Sequence, residues 1–305
     1  MSRVSRGPTA RNDAEMLCVV IFWALNLTIV KLALREMEPL AFNMVRFGLA
    51  AVTLLVLTRW SEGSLALPRA DLARIVVLGV VGHTLYQLCF IEGLARTTAS
   101  SVALIFGSSP VVVALFARLA GHERIGAMGA AGALAAFAGV ALIVAGRQEA
   151  PASASGSSTL IGNLLAVGAV FCWAFYTVMC RDLLRRHSPL RVTALTLLVG
   201  AVLLLPITVP SMLRQTWGSV TPAGWVALVY SAWFALVAGY VLWYRSVKKV
   251  GNLRTAVYSN LVPILGTFFS VWLLGERLTP GLGLGAACII GGIVLTRFGE
   301  PVPAE

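Results

Sequence analysis

Acidic side chains are scarce in this chain. It has 13 Asp and Glu in 305 residues, and all charged residues together make up only 12%. A soluble domain carries about 25% charged residues, so this sequence lacks the polar surface to cover a water-soluble globule. Histidine is almost missing, with 3 copies, and His122 and His187 fall in loops. No second His or Cys therefore stands where it could complete a metal site, and no metal or other cofactor is expected. The 5 cysteines, at positions 18, 89, 172, 180 and 288, lie inside apolar runs without a C-x-x-C spacing. That excludes a secreted disulfide scaffold and leaves them as small hydrophobes in helix packing. There is no phosphate-binding G-x-x-x-x-G-K-[ST] loop and no H-E-x-x-H zinc helix. ATP-driven transport by this chain alone is thereby excluded. With no pair of acids placed for intramembrane catalysis, an enzyme is not expected.

What remains is apolar: 58% of residues are hydrophobic and the mean hydropathy is +0.85. A helix needs about 20 mostly apolar residues to cross the hydrocarbon core. Ten such runs are present, at 16–34, 40–58, 72–94, 99–119, 125–146, 160–179, 189–209, 221–245, 253–274 and 280–297. The first is too long for a signal peptide core and lacks a cleavage site, so it reads as a retained helix. With the N-terminus in the cytoplasm, inside segments hold 17 Lys and Arg, the outside holds 6, and Arg46 lies within the second span. The positive-inside rule thus predicts both termini cytoplasmic. It also explains the net charge of +11 without nucleic acid, because the basic residues sit between apolar blocks and form no continuous face.

The two halves repeat. Trp23-Ala24 matches Trp173-Ala174 and Pro39 matches Pro189, at an offset of 150. Pro110 matches Pro263, Glu123-Arg124 matches Glu276-Arg277 and Gly139 matches Gly292, at an offset of 153. Each repeat holds five helices, an odd number, so the second enters the membrane from the opposite side. The expected organisation is all-α. A cytoplasmic tail (1–15) leads to a first repeat (16–146), a flexible Gly/Ala/Ser/Pro-rich linker (147–159), a second repeat (160–297) and a cytoplasmic tail (298–305).

With Pro39 and Arg46-Phe47 in the second helix, prolines 110 and 263 in mid-helix and Gly-Glu-Arg at 275–277, the chain resembles the EamA family. That family belongs to the drug/metabolite transporter superfamily. The likeness covers about residues 15–297 in two copies, with His122 departing where the second copy has Gly275. It implies a ten-helix inner-membrane carrier of small metabolites, often an exporter, with a central cavity. Small multidrug-resistance relatives in that superfamily use a first-helix glutamate for proton and cation exchange. This chain has no acid between Met16 and Leu34, which disfavours that mechanism.

Candidate cavity residues follow from polarity at membrane depth. A proline frees the carbonyl four residues before it, here those of Phe106 and Ser259. Such breaks belong beside protein or water, not lipid. Ser108 and Ser109 flank Pro110, and Tyr258, Ser259 and Asn260 precede Pro263. His83, Tyr86 and Gln87 share one face of the third helix, with His83 near its midpoint, where an ionisable group is a functional candidate. Trp23 and Asn26 share a face in the first helix, as do Trp173, Tyr176 and Thr177 in the sixth; Trp233, Tyr240 and Tyr244 fall on one side of the eighth. These aromatics are expected to line a cavity, with interhelical packing as the alternative. Arg46 is expected to serve structure or gating, though it could equally hold a substrate carboxylate or a helix C-terminus; Glu92 should pair with Arg96 at i, i+4.

The function expected is secondary transport of a small solute, amino acids or similar metabolites, with export leading. Facilitated diffusion and multidrug export are the transport alternatives, and a non-transporting scaffold the alternative from another class. The buried cations lean the solute toward one with a carboxylate. Partners are the solute and membrane lipid, and two halves in one chain make a functional monomer the expectation.

Overall fold

A computed structural model describes residues 7–121, 126–145, 156–250, 255 and 258–298. The described residues form helices and no strand. In chain order these are α1 (Gly7–Ala33), α2 (Pro39–Glu62), α3 (Arg69–Arg96), α4 (Ala99–Leu119), α5 (Ala127–Ala145), α6 (Gly156–Arg186), α7 (Pro189–Arg214), α8 (Pro222–Lys249), α9 (Leu261–Leu274) and α10 (Pro280–Phe298). The first eight are long and apolar enough to cross a membrane; the last two are shorter apolar helices. Most of the predicted linker lies outside the described residues. Its end does not stay a loop, because α6 already begins at Gly156. The repeat landmark Glu123-Arg124 and His122 also fall outside the described residues.

The helix starts are written in the sequence. Proline opens α2, α7, α8 and α10, where its missing N–H costs nothing and its fixed φ suits the first turn. Thr98, Ser188 and Thr221 cap α4, α7 and α8 by accepting from the amides of Ser101, Arg191 and Gly224. Gly63 and Gly275 end α2 and α9 at φ 69°, a conformation that disfavours side chains with a Cβ.

The surface is apolar and the interior carries the polar groups. Trp60, Val56, Leu134 and Trp272 are exposed, whereas Arg46, Asn43, His83, Gln87 and Thr196 are buried. That inversion suits lipid as solvent. Without a hydrophobic driving force between helices, packing relies on small residues that let backbones meet. At Gly139 of α5 an added Cβ would lie 2.6 Å from the Gly285 carbonyl of α10, and at Gly292 2.5 Å from that of Gly132.

Charged groups are confined mostly to helix ends. Asp71 at the start of α3 meets Arg186 (2.9 Å) and His187 (2.8 Å) at the end of α6. Glu276 accepts from the amides of Ala99 (2.8 Å) and Ser100 (2.9 Å) at the start of α4, where a helix favours an anion. Lys31 Nζ donates to the carbonyls of Leu94 (2.6 Å) and Thr97 (2.7 Å) at the end of α3, the complementary case. Glu92 pairs with Arg96, as the i, i+4 spacing predicts.

Candidate functional site

Two segments depart from α geometry. Val80–Leu85 in α3 and Ser231–Ala238 in α8 are π-helical, with i→i+5 bonds that insert an extra residue into the turn. They start 151 residues apart, so the two halves carry the irregularity at nearly matching positions. Both present a polar side chain inward: Ser231 from α8 and His83 from α3.

Between α1, α2, α3, α4, α6, α8 and the start of the ninth predicted span lies a chamber. Its empty space is about 770 Å³ counting its opening. Of the residues predicted for it, Trp23, Asn26, Tyr86, Gln87, Ser109, Trp173, Tyr240 and Ser259 line it; Arg46, expected to serve structure or gating, lines it too, and Phe90 and Phe106 complete the aromatic wall. The rings support one another. Trp23 and Trp173 meet edge to face at 5.7 Å, Tyr86 lies 5.9 Å and Tyr240 6.0 Å from Trp173. Trp23 is fixed by its indole N–H, which donates to the Ala235 carbonyl at 2.9 Å.

Arg46 is the charged group of this chamber, 1% exposed. Its Nε (3.1 Å) and Nη2 (2.9 Å) donate to Asn43 Oδ1, Nη2 also to Gln87 Oε1 (2.6 Å), and Nη1 to Ser231 Oγ (2.8 Å). The guanidinium carbon stands 5.2 Å from the Phe90 ring centre and 5.7 Å from that of Phe42. None of these partners is an acid. A guanidinium has five N–H donors, so one on Nη1 is left over. Among the described residues, the buried amide nitrogens Gln87 Nε2 and Asn43 Nδ2 and the oxygen Asn26 Oδ1 have no partner.

The structure does not bring every predicted residue to the wall. His83 is fully buried behind it. Its Nε2 meets Thr196 Oγ1 at 3.0 Å, and its ring lies 4.9 Å from Tyr176 and 5.9 Å from Tyr240. Tyr176 is buried too, with its hydroxyl 3.2 Å from the same Thr196 oxygen. Trp233 faces outward, 47% exposed. The α-helical spacing that aligned it with Tyr240 and Tyr244 runs through the π-helical turns, where the extra residue rotates it away. Ser108 is buried and bonds the Ile105 carbonyl (2.7 Å). Tyr258 turns to Asp13, and Asn260 keeps its Oδ1 buried without a partner, off the wall.

The helix breaks behave differently from a bare gap. Pro110 interrupts α4 at Ser108, and the carbonyl of Phe106 that it frees is taken by Ser109 Oγ at 2.6 Å. Pro263 packs against Gly107, where an added Cβ would lie 3.1 Å from it, so the two breaks touch. Sequence reasoning missed Asn43, Ser231 and Thr196. The repeat offset of 150 pairs position 46 with 196, a signal available in the sequence.

Comparison with known proteins agrees with this architecture. The sequence model of the EamA-like transporter family matches twice, over residues 14–145 and 160–298. The uncharacterized transporter YyaM of Bacillus subtilis is 29% identical over 281 residues, covering 92% of this chain and 90% of its own length. A probable amino-acid metabolite efflux pump of Salmonella typhimurium is 27% identical over 305 residues, covering 95% and 96%. A similarly described pump of Escherichia coli is 24% identical, covering 95% and 96%. One crystal structure, 20% identical, superposes with a TM-score of 0.66 over 95% of this chain and 97% of its own, a likeness of fold alone. Two family matches spanning nearly the whole chain, on a bundle of membrane-crossing helices, make this a multi-pass integral membrane protein that belongs to the EamA-like transporter family.

Proposed function

We infer that this transporter is a secondary carrier that moves a small carboxylate-bearing metabolite, an amino acid or a similar organic solute, outward across an inner membrane. The observation that carries the reading is Arg46: a buried cation on the wall of an aromatic chamber, bonded to amides and a hydroxyl and to no carboxylate. A buried charge is normally paired. A substrate carboxylate is the partner that would balance this charge, and the remaining Nη1 hydrogen can donate to it as a charge-assisted bond.

The reading places the ten helices as two inverted five-helix repeats with both termini in the cytoplasm. Its support is the excess of Lys and Arg on one side, the repeat landmarks and the polar groups between the halves. Inverted repeats around one chamber permit alternating access, since each half can adopt the other's conformation. Lipid surrounds the apolar exterior, and the pseudo-dimer within one chain supports a functional monomer. Multidrug export of cations fits the chamber poorly, because Arg46 repels them.

The test is flux in proteoliposomes holding the purified protein. Labelled amino acids, small organic acids and an aromatic cation are offered in turn. Carboxylate-specific flux that Arg46→Gln abolishes supports the proposal. Flux of the cation alone, or none of any solute through folded protein, overturns it.

A further inference from the structure

Resting on that reading of the chamber, we propose that its solute is a net anion, a monocarboxylate with an apolar or aromatic body and no ammonium group, in preference to the zwitterionic amino acid of the same shape. The argument is one of charge balance inside a poorly solvated space. Arg46 contributes one positive charge, and no Asp or Glu lines the chamber among the described residues. Among the described residues none of the chain's acids is on the chamber wall, and Glu92 in α3 is paired with Arg96. A monocarboxylate makes the chamber neutral. A zwitterion makes the same contact but leaves an ammonium beside a guanidinium with no carboxylate to receive it, and like charges in low dielectric repel strongly.

The hydrogen-bonding inventory points the same way. The amide oxygens nearest Arg46, Asn43 Oδ1 and Gln87 Oε1, already accept from it. What is left over at the wall, among the described residues, is donors: Gln87 Nε2 and the remaining Nη1 hydrogen. A carboxylate only accepts and an ammonium only donates, so these groups fit the first and not the second. Among the described residues, Asn26 Oδ1 is the single unpartnered amide acceptor at the wall.

The experiment is equilibrium binding of two matched sets to the full chain in lipid nanodiscs. One set is 3-phenylpropionate, phenylalanine and phenethylamine; the other is 4-methylpentanoate, leucine and isoamylamine. Within each set the body is constant and the charge changes. We expect the anion to bind at least about tenfold more tightly than the zwitterion, which corresponds to one decade in Kd, and the amine not to bind. Asn26→Asp adds the missing acid at nearly constant shape, and should narrow or invert the order of anion and zwitterion. Because Arg46→Gln could unfold the protein, Arg46→Lys, which keeps the charge, serves as its control and should retain the preference. Tighter binding of phenylalanine and leucine to the wild type overturns the proposal and leaves the carboxylate carrier standing. A preference neither narrowed nor inverted in folded Asn26→Asp overturns the charge argument. Binding of the amines alone, or of none of the six to folded protein, overturns both readings.

Discussion

Arg46 and Thr196, 150 residues apart, make corresponding bridges in the two halves. Arg46 of α2 donates to Ser231 in the π-helical segment of α8 (2.8 Å), and Thr196 of α7 meets His83 in the π-helical segment of α3 (3.0 Å). One bridge borders the chamber and the other is sealed behind it. The same scaffold position thus holds a charge that faces the chamber in one half and a neutral structural bond in the other.

The bridge that borders the chamber should control transport. Replacing Arg46 by Gln leaves Asn43 and Gln87 without their donor and the solute carboxylate without its cation. Loss of such a buried charge contact is worth about 2–5 kcal/mol, so carboxylate flux should fall by roughly 30-fold or more. Arg46→Lys keeps the charge but not the planar fork and should lie between wild type and Arg46→Gln. Initial rates in proteoliposomes at matched protein content check both.

The sealed bridge should control stability. The Thr196 hydroxyl gives its proton to the Val192 carbonyl (2.9 Å), which leaves its lone pairs to accept from His83 Nε2–H and the Tyr176 hydroxyl. Thr196→Val removes that acceptor at constant shape and strands two buried donors, at about 1–3 kcal/mol each. The apparent Tm in detergent should drop by several degrees. Solute affinity should change little, because neither His83 nor Thr196 reaches the chamber.

Gly82 offers a test of packing. An added Cβ there would lie 2.2 Å from the Tyr176 ring, with no room to retreat in a buried cluster. Gly82→Ala should destabilise by about 1–3 kcal/mol through overpacking. Adding Tyr176→Leu should recover part of that loss, and a double-mutant cycle on thermal unfolding reads the coupling.

If the solute is a net anion, its export moves negative charge outward, and an inside-negative potential drives it. The membrane field acts with about 2.3 kcal/mol per charge per 100 mV, an equilibrium ratio of roughly fifty-fold. Efflux of 3-phenylpropionate from proteoliposomes should accelerate when potassium and valinomycin make the lumen negative, and slow when the potential is reversed. Indifference to the potential would contradict the anion.

Much of the helical layout is legible in the sequence, because apolar runs, N-terminal prolines and capping hydroxyls are local signals. Pro39, Pro189 and Pro222 announce helix starts wherever the chain is met. The chamber wall is legible in part, since Trp23, Trp173 and Tyr86 are conspicuous polar-edged rings at membrane depth. What sequence pattern could not convey is rotation. The segment Ser231–Ala238 has an ordinary apolar composition, so nothing local marks its wider turns, and Trp233 is projected inward when it faces out. Nor does any motif join Arg46 to Gln87 and Ser231, which lie 41 and 185 residues away and meet only through tertiary packing.

Ser109 closes the gap that Pro110 opens, and it does so from the chamber wall. Its hydroxyl carries a single proton, now committed to the Phe106 carbonyl. A solute oxygen that draws this proton to itself strips α4 of its substitute bond at the very place where the helix is already cut. The same hydrogen that repairs the cut in α4 is thus the one that Ser109 could offer to the chamber.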